Sequence, residues 1–441
     1  MSAEDATAAG AGREAVDDDA TVADLRLFRA IGLYQMLNPS DRRSGDRLRL
    51  AYRAGVALAF ALQSVQIVGL FFTLNDLRRF AYMTVMVFNG LMCVLKGHVL
   101  VMKADQLWAV LDVARYRYTV CGARDPSALH RCRATLAVLL RTFAVLSFST
   151  LIIWSTMPLF MDPYVPITKP DGTVGQYRTT IDNLWFPAMT ESVYNYTPVW
   201  AFIYSMEVFI CTFNVISWLL FDSCMVTMCF VLNAQFRTMA AGYESLGRHR
   251  DRRRIRLRAP STSPGRIRPA ENRDTELTFI DDLIIHINDN QNIINKFDDF
   301  FNIVQPVVLA QIATSSNSVV GLIFLIALLY VMGWSIVSAP IMKFMSGLAS
   351  LLIELYIYCY AFNYIEIAKS QVNLGLYGSN WTVMDLKFKK TLLLAMNMNS
   401  SHNRMMKVSP TSIINLEMFS RVMNMSYSIV SILLNSSAPD T

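Results

Sequence analysis

Charged side chains are scarce in this 441-residue sequence: Asp, Glu, Lys and Arg make up only 17% of it, whereas 53% of the residues are hydrophobic. Soluble globular proteins usually carry about 25% charged residues. A soluble chain of this length would need more polar surface than these residues supply. We therefore expect much of the apolar surface to face membrane lipid. The net charge of +6 is too small to indicate nucleic acid as a partner.

The sequence also lacks the short motifs of common enzyme and metal sites. It contains no P-loop, no HExxH and no GxSxG motif, and its five histidines occur singly. Its seven cysteines include no CxxC pair and show no even spacing, so they predict neither a zinc site nor a disulfide framework. We therefore expect a protein that is not an enzyme and has no cofactor or metal.

Two segments have the composition of disordered chain. Residues 1–24 have almost no large apolar side chains and are predicted to form a disordered tail. The first 50 residues contain no apolar run typical of a cleaved signal peptide, so we expect the first membrane segment to direct insertion. Residues 25–441 are predicted to form one membrane domain. Residues 248–270 are a basic, low-complexity insertion in a predicted cytoplasmic loop. Their composition favours a solvated linker. The alternative is that their basic side chains are attracted to the anionic inner leaflet of the membrane.

Seven segments predict membrane-spanning helices, each of which needs about 20 apolar residues. A polar helical stretch over residues 302–318 is expected to lie mostly outside lipid, before the fifth span. The seventh span carries Glu417 and Arg421 in its first half, which favours a helix shielded by its neighbours. The predicted spans are residues 54–74, 80–102, 136–161, 199–231, 319–334, 341–367 and 413–434.

The distribution of basic residues predicts the orientation. The N-terminal segment and alternate loops contain 31 Lys and Arg residues, whereas the remaining loops contain 4. Cytoplasmic loops of membrane proteins carry the excess of Lys and Arg. The predicted fold is thus an all-α membrane protein with seven transmembrane helices, a cytoplasmic N-terminus and an extracellular C-terminus.

A few polar residues within the spans are candidates for function. Glu207 and Glu354 either line a cation route or a cavity, or they pair with Lys, Arg or hydroxyl groups between helices. On the seventh span, Asn424, Ser428 and Ser431 share one narrow face. Such a polar stripe either lines water or forms hydrogen bonds with a neighbouring helix.

Aromatic and methionine side chains are frequent in the second, third and fourth predicted spans. Apolar ligand pockets are lined by such residues with few polar groups, although ordinary helix packing uses them too. The candidate ligand-binding residues are Tyr82, Met86, Phe148, Trp154, Phe202 and Met206.

The sequence from residue 354 onwards resembles the insect odorant receptor family. Its ending, residues 426–433 (SYSIVSIL), is particularly similar to moth receptors, and its length is like that of the variable ligand-binding subunit, not the common coreceptor. The matching segments are residues 354–360 (ELYIYCY), Ser370, Trp381, residues 389–394 (KKTLLL), 410–412 (PTS) and 419–428 (FSRVMNMSYS).

This resemblance implies a ligand-gated, non-selective cation channel in the plasma membrane of olfactory sensory neurons. In the family, a variable subunit forms a heterotetramer with the coreceptor and binds a small hydrophobic odorant or pheromone among spans two to six. The seventh helices surround the pore, which implies a constriction at Val430 and Leu434 that gates by dewetting. Asn424, Ser428 and Ser431 are then assigned to subunit contacts.

The alternative is a seven-helix G-protein-coupled receptor. That class has an outside N-terminus and commonly a disulfide from the third helix to the following outer loop. Residues 161–198 contain no cysteine, and the charge distribution predicts the opposite orientation. The sequence therefore favours the channel.

Overall fold

The computed structural model describes residues 21–437 apart from residues 24, 31, 39–41, 75, 170–172, 184–188, 248–269, 403–404 and 410–411. Most of the predicted tail and nearly all of the basic insertion therefore lie outside the described residues. Val22 and Ala23 are fully buried, and the Val22 backbone N–H donates to the Ala114 carbonyl at 2.7 Å. The packed chain thus begins before residue 24, the predicted end of the tail.

Helices dominate the described residues. The N-terminal part contains α1 (Leu25–Ala30), α2 (Leu33–Leu37), α3 (Arg42–Phe71), α4 (Leu77–Met102), α5 (Ala104–Leu111), α6 (Val120–Arg124) and α7 (Ser127–Thr156). The C-terminal part contains α8 (Glu191–Tyr194), α9 (Thr197–Ser245), α10 (Ala270–Val331), α11 (Ala339–Tyr377), α12 (Leu386–Ser401) and α13 (Leu416–Ser437).

Local sequence explains where several of these helices begin. The Asp76 carboxylate accepts the Arg79 backbone N–H at 3.1 Å and caps α4, and Asp385 caps α12 in the same way. A short side-chain acceptor at this position satisfies a backbone donor that has no partner within the helix. Helices α9 and α11 instead have proline in their first turn, where the missing N–H is not needed.

In the part of the chain that the structure describes, two short antiparallel hairpins accompany the helices. Strands β1 (Tyr164–Thr168) and β2 (Val174–Arg178) pair between α7 and α8. Strands β3 (Lys407–Ser409) and β4 (Ser412–Ile413) pair, with a register irregularity, just before α13. The all-α prediction did not include these hairpins.

Within the described residues, six helices are long and apolar enough to cross a membrane: α3, α4, α7, α9, α10 and α11. They overlap the first six predicted spans, although the first, third and fifth spans extend three to five residues beyond the ends of α3, α7 and α10. A helix also forms at the seventh predicted span, but α13 is not among the six. Helix α10 runs without interruption through the polar stretch and the fifth span, although it contains Pro306. Neighbouring helices make such a proline tolerable in a membrane helix.

Helix α9 is the centre of the bundle. Residues 217–236 of this helix are all buried, and it packs against α4, α7, α10 and α11. This stretch carries Asp222, Asn233 and Gln235, whose polar groups are costly to expose to lipid, so they face other elements of the protein. The positions of the neighbouring helices around α9 define the space in which the candidate site lies.

Candidate ligand-binding site

A cavity of about 170 Å³ lies among helices α3, α4, α7, α9, α10 and α11. An apolar cavity of about 150 Å³ accommodates benzene. The space therefore suits a ligand with one ring or a short chain. The apolar side chains of its wall are those of Val85, Met86, Met92, Leu151, Trp154, Ile210, Val215, Trp218, Leu322 and Leu351.

Residues 179–183, which we call the roof segment, close one end of the cavity. Ile181 and Asp182 line the cavity, and Ile181 is almost fully buried. The Glu207 carboxylate of α9 accepts the backbone N–H groups of Ile181 at 2.7 Å and Asp182 at 3.2 Å. It also accepts the Thr180 hydroxyl at 3.0 Å. One buried carboxylate thus attaches the roof segment to the central helix.

Other helices hold the same roof segment. The Lys343 ammonium of α11 donates to the Ile181 carbonyl at 2.6 Å and lies 4.7 Å from the centre of the Trp154 ring. The Gln66 amide of α3 donates to the Asp182 carboxylate at 2.7 Å. Burial raises the pKa of this Asp182 carboxyl, although the Lys343 ammonium opposes the shift.

Beyond the roof segment is a second, more polar cavity of about 400 Å³. Its wall includes Arg78, Arg79 and Lys343 as well as Asp76 and Asp162. The roof residue Asp182 lines both cavities. The roof segment therefore separates the apolar cavity from the polar one.

A cluster of buried charges lies at the opposite end of the cavity. The Lys96 ammonium of α4 is 2.8 Å from the Asp222 carboxylate of α9 and 2.7 Å from the Glu354 carboxylate of α11. All three side chains are at most 2% exposed. Glu354 also lines the cavity. We call Lys96, Asp222 and Glu354 the charge cluster.

Neighbouring polar groups complete the hydrogen bonds of the two carboxylates. The Trp218 indole N–H and the Gln311 amide donate to the two oxygens of Glu354, at 2.7 Å and 3.1 Å. The Tyr358 hydroxyl donates to Asp222 at 2.6 Å. Buried ion pairs persist only when their remaining lone pairs are satisfied in this way. Glu207 and Glu354 thus pair between elements, and Glu354 contributes to a cavity as well.

The structure places the six predicted ligand-binding residues in different environments. Met86 and Trp154 line the apolar cavity, and Tyr82 lines the polar cavity. Phe148 and Phe202 are exposed on the outside of the bundle, and Met206 lines neither cavity.

Helix geometry explains this division. At about 100° per residue, Phe148 lies ~120° from Trp154 around α7. Phe202 lies ~140° from the buried Glu207 around α9 by the same rule. Residue type alone did not show which aromatic side chains face inwards. Asn214 and Gln311, polar residues in the wall of the apolar cavity, were missed for a similar reason.

Helix α13 packs one face against the bundle and leaves the other open. Val422 and Ser426 are buried, whereas Asn424 and Ser428 are exposed and Ser431 is half-buried. The side chains of Val430 and Leu434 lie outside those that the structure describes. Glu417 and Arg421 form the predicted ion pair, at 3.0 Å.

A bundle of long apolar helices around a small cavity is the architecture of a multi-pass membrane protein. The sequence matches the family model described as 7tm Odorant receptor over residues 76–427. The chain therefore belongs to the odorant receptor family. No curated protein matches the sequence.

The fold is similar to that of solved insect olfactory receptors. The structure of OR5 from Machilis hrabei in complex with eugenol superposes with a TM-score of 0.68 at 10% identity, covering 93% of this chain and 98% of that one. A second OR5 structure gives a TM-score of 0.63 at 10% identity, with 90% of each chain covered. At this identity the likeness shows the shared fold.

Proposed function

We propose that this chain is the ligand-binding subunit of an odorant-gated channel. In this proposal a small volatile molecule, an odorant or a pheromone, enters the apolar cavity. A non-selective cation pore, shared with the common coreceptor in a heterotetramer, then opens in the plasma membrane. The observation that carries the proposal is the small apolar cavity between the roof segment and the charge cluster, in a member of the odorant receptor family.

Helix α11 provides a route from the cavity to α13. Glu354 belongs to the charge cluster, and Tyr358, four residues later on the same helix, donates to Asp222 of that cluster. Between them in sequence, the Tyr356 ring makes an edge-on contact with Phe419 of α13, with ring centroids 5.6 Å apart. A ligand that displaces α11 at the cavity therefore also moves the start of α13.

The open face of α13 supports the assignment of this helix to the assembly and the pore. Asn424 and Ser428 are exposed, so we assign them to subunit contacts together with Ser431. Val430 and Leu434 form the gate in this proposal, because a ring of apolar side chains closes a pore by dewetting. The proposed orientation has a cytoplasmic N-terminus and an extracellular C-terminus.

Recordings from cells that express the chain with and without the coreceptor test the proposal. We expect currents evoked by volatile compounds only when both subunits are present. A tag at the N-terminus should be hidden in intact cells and one at the C-terminus accessible. The reverse accessibility, or a second-messenger response without the coreceptor, would contradict the channel and support a G-protein-coupled receptor.

A further inference from the structure

Three residues of the apolar cavity wall each carry a buried polar atom that has no hydrogen-bond partner among the described residues. These atoms are Asn214 Oδ1, Gln311 Oε1 and Trp154 Nε1. The first two accept hydrogen bonds, and the indole N–H donates one. Buried polar groups in native proteins nearly always have a partner, because an unpaired group loses its hydration without compensation.

Other polar groups of the same wall are satisfied. The Thr150 hydroxyl bonds to the Leu146 carbonyl at 3.0 Å and to the Ser350 hydroxyl at 2.7 Å. The Asn89 amide donates to the Val85 carbonyl and the Ser318 hydroxyl, at 2.8 Å each. The three unpaired atoms therefore stand out in a wall where the Thr150 hydroxyl and the Asn89 amide have hydrogen-bond partners.

The unpaired atoms define the chemistry of a matching ligand. A hydroxyl group both donates and accepts, so it supplies a partner for an amide oxygen and for an indole N–H. A carbonyl group only accepts, and a hydrocarbon does neither. An ammonium ion would need a free carboxylate, but both carboxylates of the wall are engaged. Glu354 accepts from Lys96, Trp218 and Gln311. Asp182 accepts from Gln66 and Tyr82.

We propose, resting on the function proposed above, that the ligand of this cavity is a compact alcohol. Its hydroxyl donates to Asn214 Oδ1 and accepts from Trp154 Nε1, while its carbon skeleton fills the apolar remainder of the cavity. Asn214 is the principal acceptor because the Gln311 amide is already engaged, through its nitrogen, with Ser315 at 2.7 Å and Glu354 at 3.1 Å.

Two matched series of compounds test this proposal in cells that express the receptor with the coreceptor. One series is 1-heptanol, heptanal and octane, and the other is benzyl alcohol, benzaldehyde and ethylbenzene. Within each series the number of non-hydrogen atoms is constant while the hydrogen-bonding capacity changes. We expect each alcohol to reach its half-maximal current at a concentration about tenfold or more below that of its hydrocarbon.

Substitutions then assign the two hydrogen bonds. Asn214→Leu removes the acceptor and should raise the half-maximal concentration of the alcohols about tenfold while the aldehydes and hydrocarbons change little. Trp154→Phe removes the donor and should weaken alcohols and aldehydes together relative to hydrocarbons. Thr150→Val, the matched control, removes a hydroxyl that is already bonded and should shift all three compounds of a series equally. Surface labelling identifies variants that reach the membrane.

Each outcome supports or overturns the inference. Equal potency of the three compounds in each series overturns it while leaving the receptor function intact. An alcohol preference that survives Asn214→Leu at normal surface levels also overturns it. If no compound in these series or in a broad panel of volatiles evokes a current, the proposed function fails and this inference fails with it.

Discussion

The Lys96 ammonium lies 2.7 Å from a carboxylate oxygen of Glu354, although the two residues are 258 positions apart in the sequence. Asp222 completes the contact from the central helix, at 2.8 Å from the same ammonium. Three long helices therefore meet at one buried point. Removing charges from water is costly, so this arrangement is stable only while every charge keeps its partner.

The first prediction concerns the loss of the cation. Lys96→Met leaves two carboxylates in an apolar interior without an ammonium, and breaking a buried pair in this way costs about 3–5 kcal/mol. We expect a clear fall in the thermal unfolding temperature of the detergent-purified protein and less receptor at the cell surface. Arg421→Gln is the matched control, because its ion pair with Glu417 is exposed and such pairs contribute about 0–1 kcal/mol. Equal stability of the two variants would contradict the structural role of the charge cluster.

The second prediction concerns the roof segment. Glu207→Leu removes the acceptor for the backbone N–H groups of Ile181 and Asp182. Leaving a buried donor without a partner costs about 1–3 kcal/mol. We expect hydrogen exchange at these two amides to become about tenfold faster or more. Glu207→Gln keeps one oxygen that can face both amides and should restore most of the protection.

An amide elsewhere provides the control for this experiment. The Gln176 backbone N–H donates to Glu191 at 3.1 Å, in the β1–β2 hairpin, and does not depend on Glu207. Its exchange should be the same in all variants. If exchange at Ile181 and Asp182 also stays unchanged in Glu207→Leu, the attachment of the roof segment to α9 is incorrect.

Much of the helical architecture was predictable from the sequence, because long apolar runs are a local signal. The helices at the seven predicted spans form where the runs lie, and the pairing of Glu417 with Arg421 followed from their spacing. The β1–β2 hairpin was missed, although residues 170–172 (PDG) between two short apolar segments are typical of a turn.

The candidate site was less predictable, because its contacts join helices that are distant in sequence. Glu354 was recognised as a charged residue within a span, but nothing in one sequence indicates that it meets Lys96. Asp222 was overlooked, although it too lies within a predicted span. Periodicity relates residues on the same helix and does not show which face turns inwards, so Trp154 and Phe148 were grouped together.

The third prediction concerns a close approach of α9 and α11. A Cβ atom at Gly375 would lie 2.8 Å from the Cα of Ala240, a backbone atom that cannot move aside easily. Gly375→Ala should therefore force the helices apart, at a cost of about 1–3 kcal/mol, typical of overpacking. Gly69→Ala is the control. A Cβ atom at residue 69 would lie 3.8 Å from the Met83 methyl group, which is an ordinary van der Waals contact. The measurement is the thermal unfolding temperature of both purified variants. If Gly375→Ala unfolds at the same temperature as the control, the close packing of α9 and α11 at Gly375 is incorrect.

The fourth prediction separates cavity residues from surface aromatics. Trp154 is 9% exposed and lines the apolar cavity, whereas Phe202 is 66% exposed. We expect Trp154→Ala to change the half-maximal concentrations of volatile ligands, because it enlarges the cavity and removes contacts. Phe202→Ala should leave them unchanged. Ion selectivity, measured from reversal potentials, should stay the same in both variants. A change in selectivity with Trp154→Ala would place this residue in the permeation path instead.

The last prediction concerns the proposed gate on α13. Val430→Ala and Leu434→Ala each replace a larger apolar side chain with a methyl group, which widens and hydrates a constriction that closes by dewetting. We expect a leak current without odorant, at unchanged surface levels, in cells that also express the coreceptor. Ser426→Ala is the control on the same helix, because Ser426 is buried against the bundle and its hydroxyl donates to the Val422 carbonyl at 2.9 Å. Its leak should equal that of the unmodified receptor. If both gate variants reach the surface with normal leak and normal responses, Val430 and Leu434 do not form the constriction.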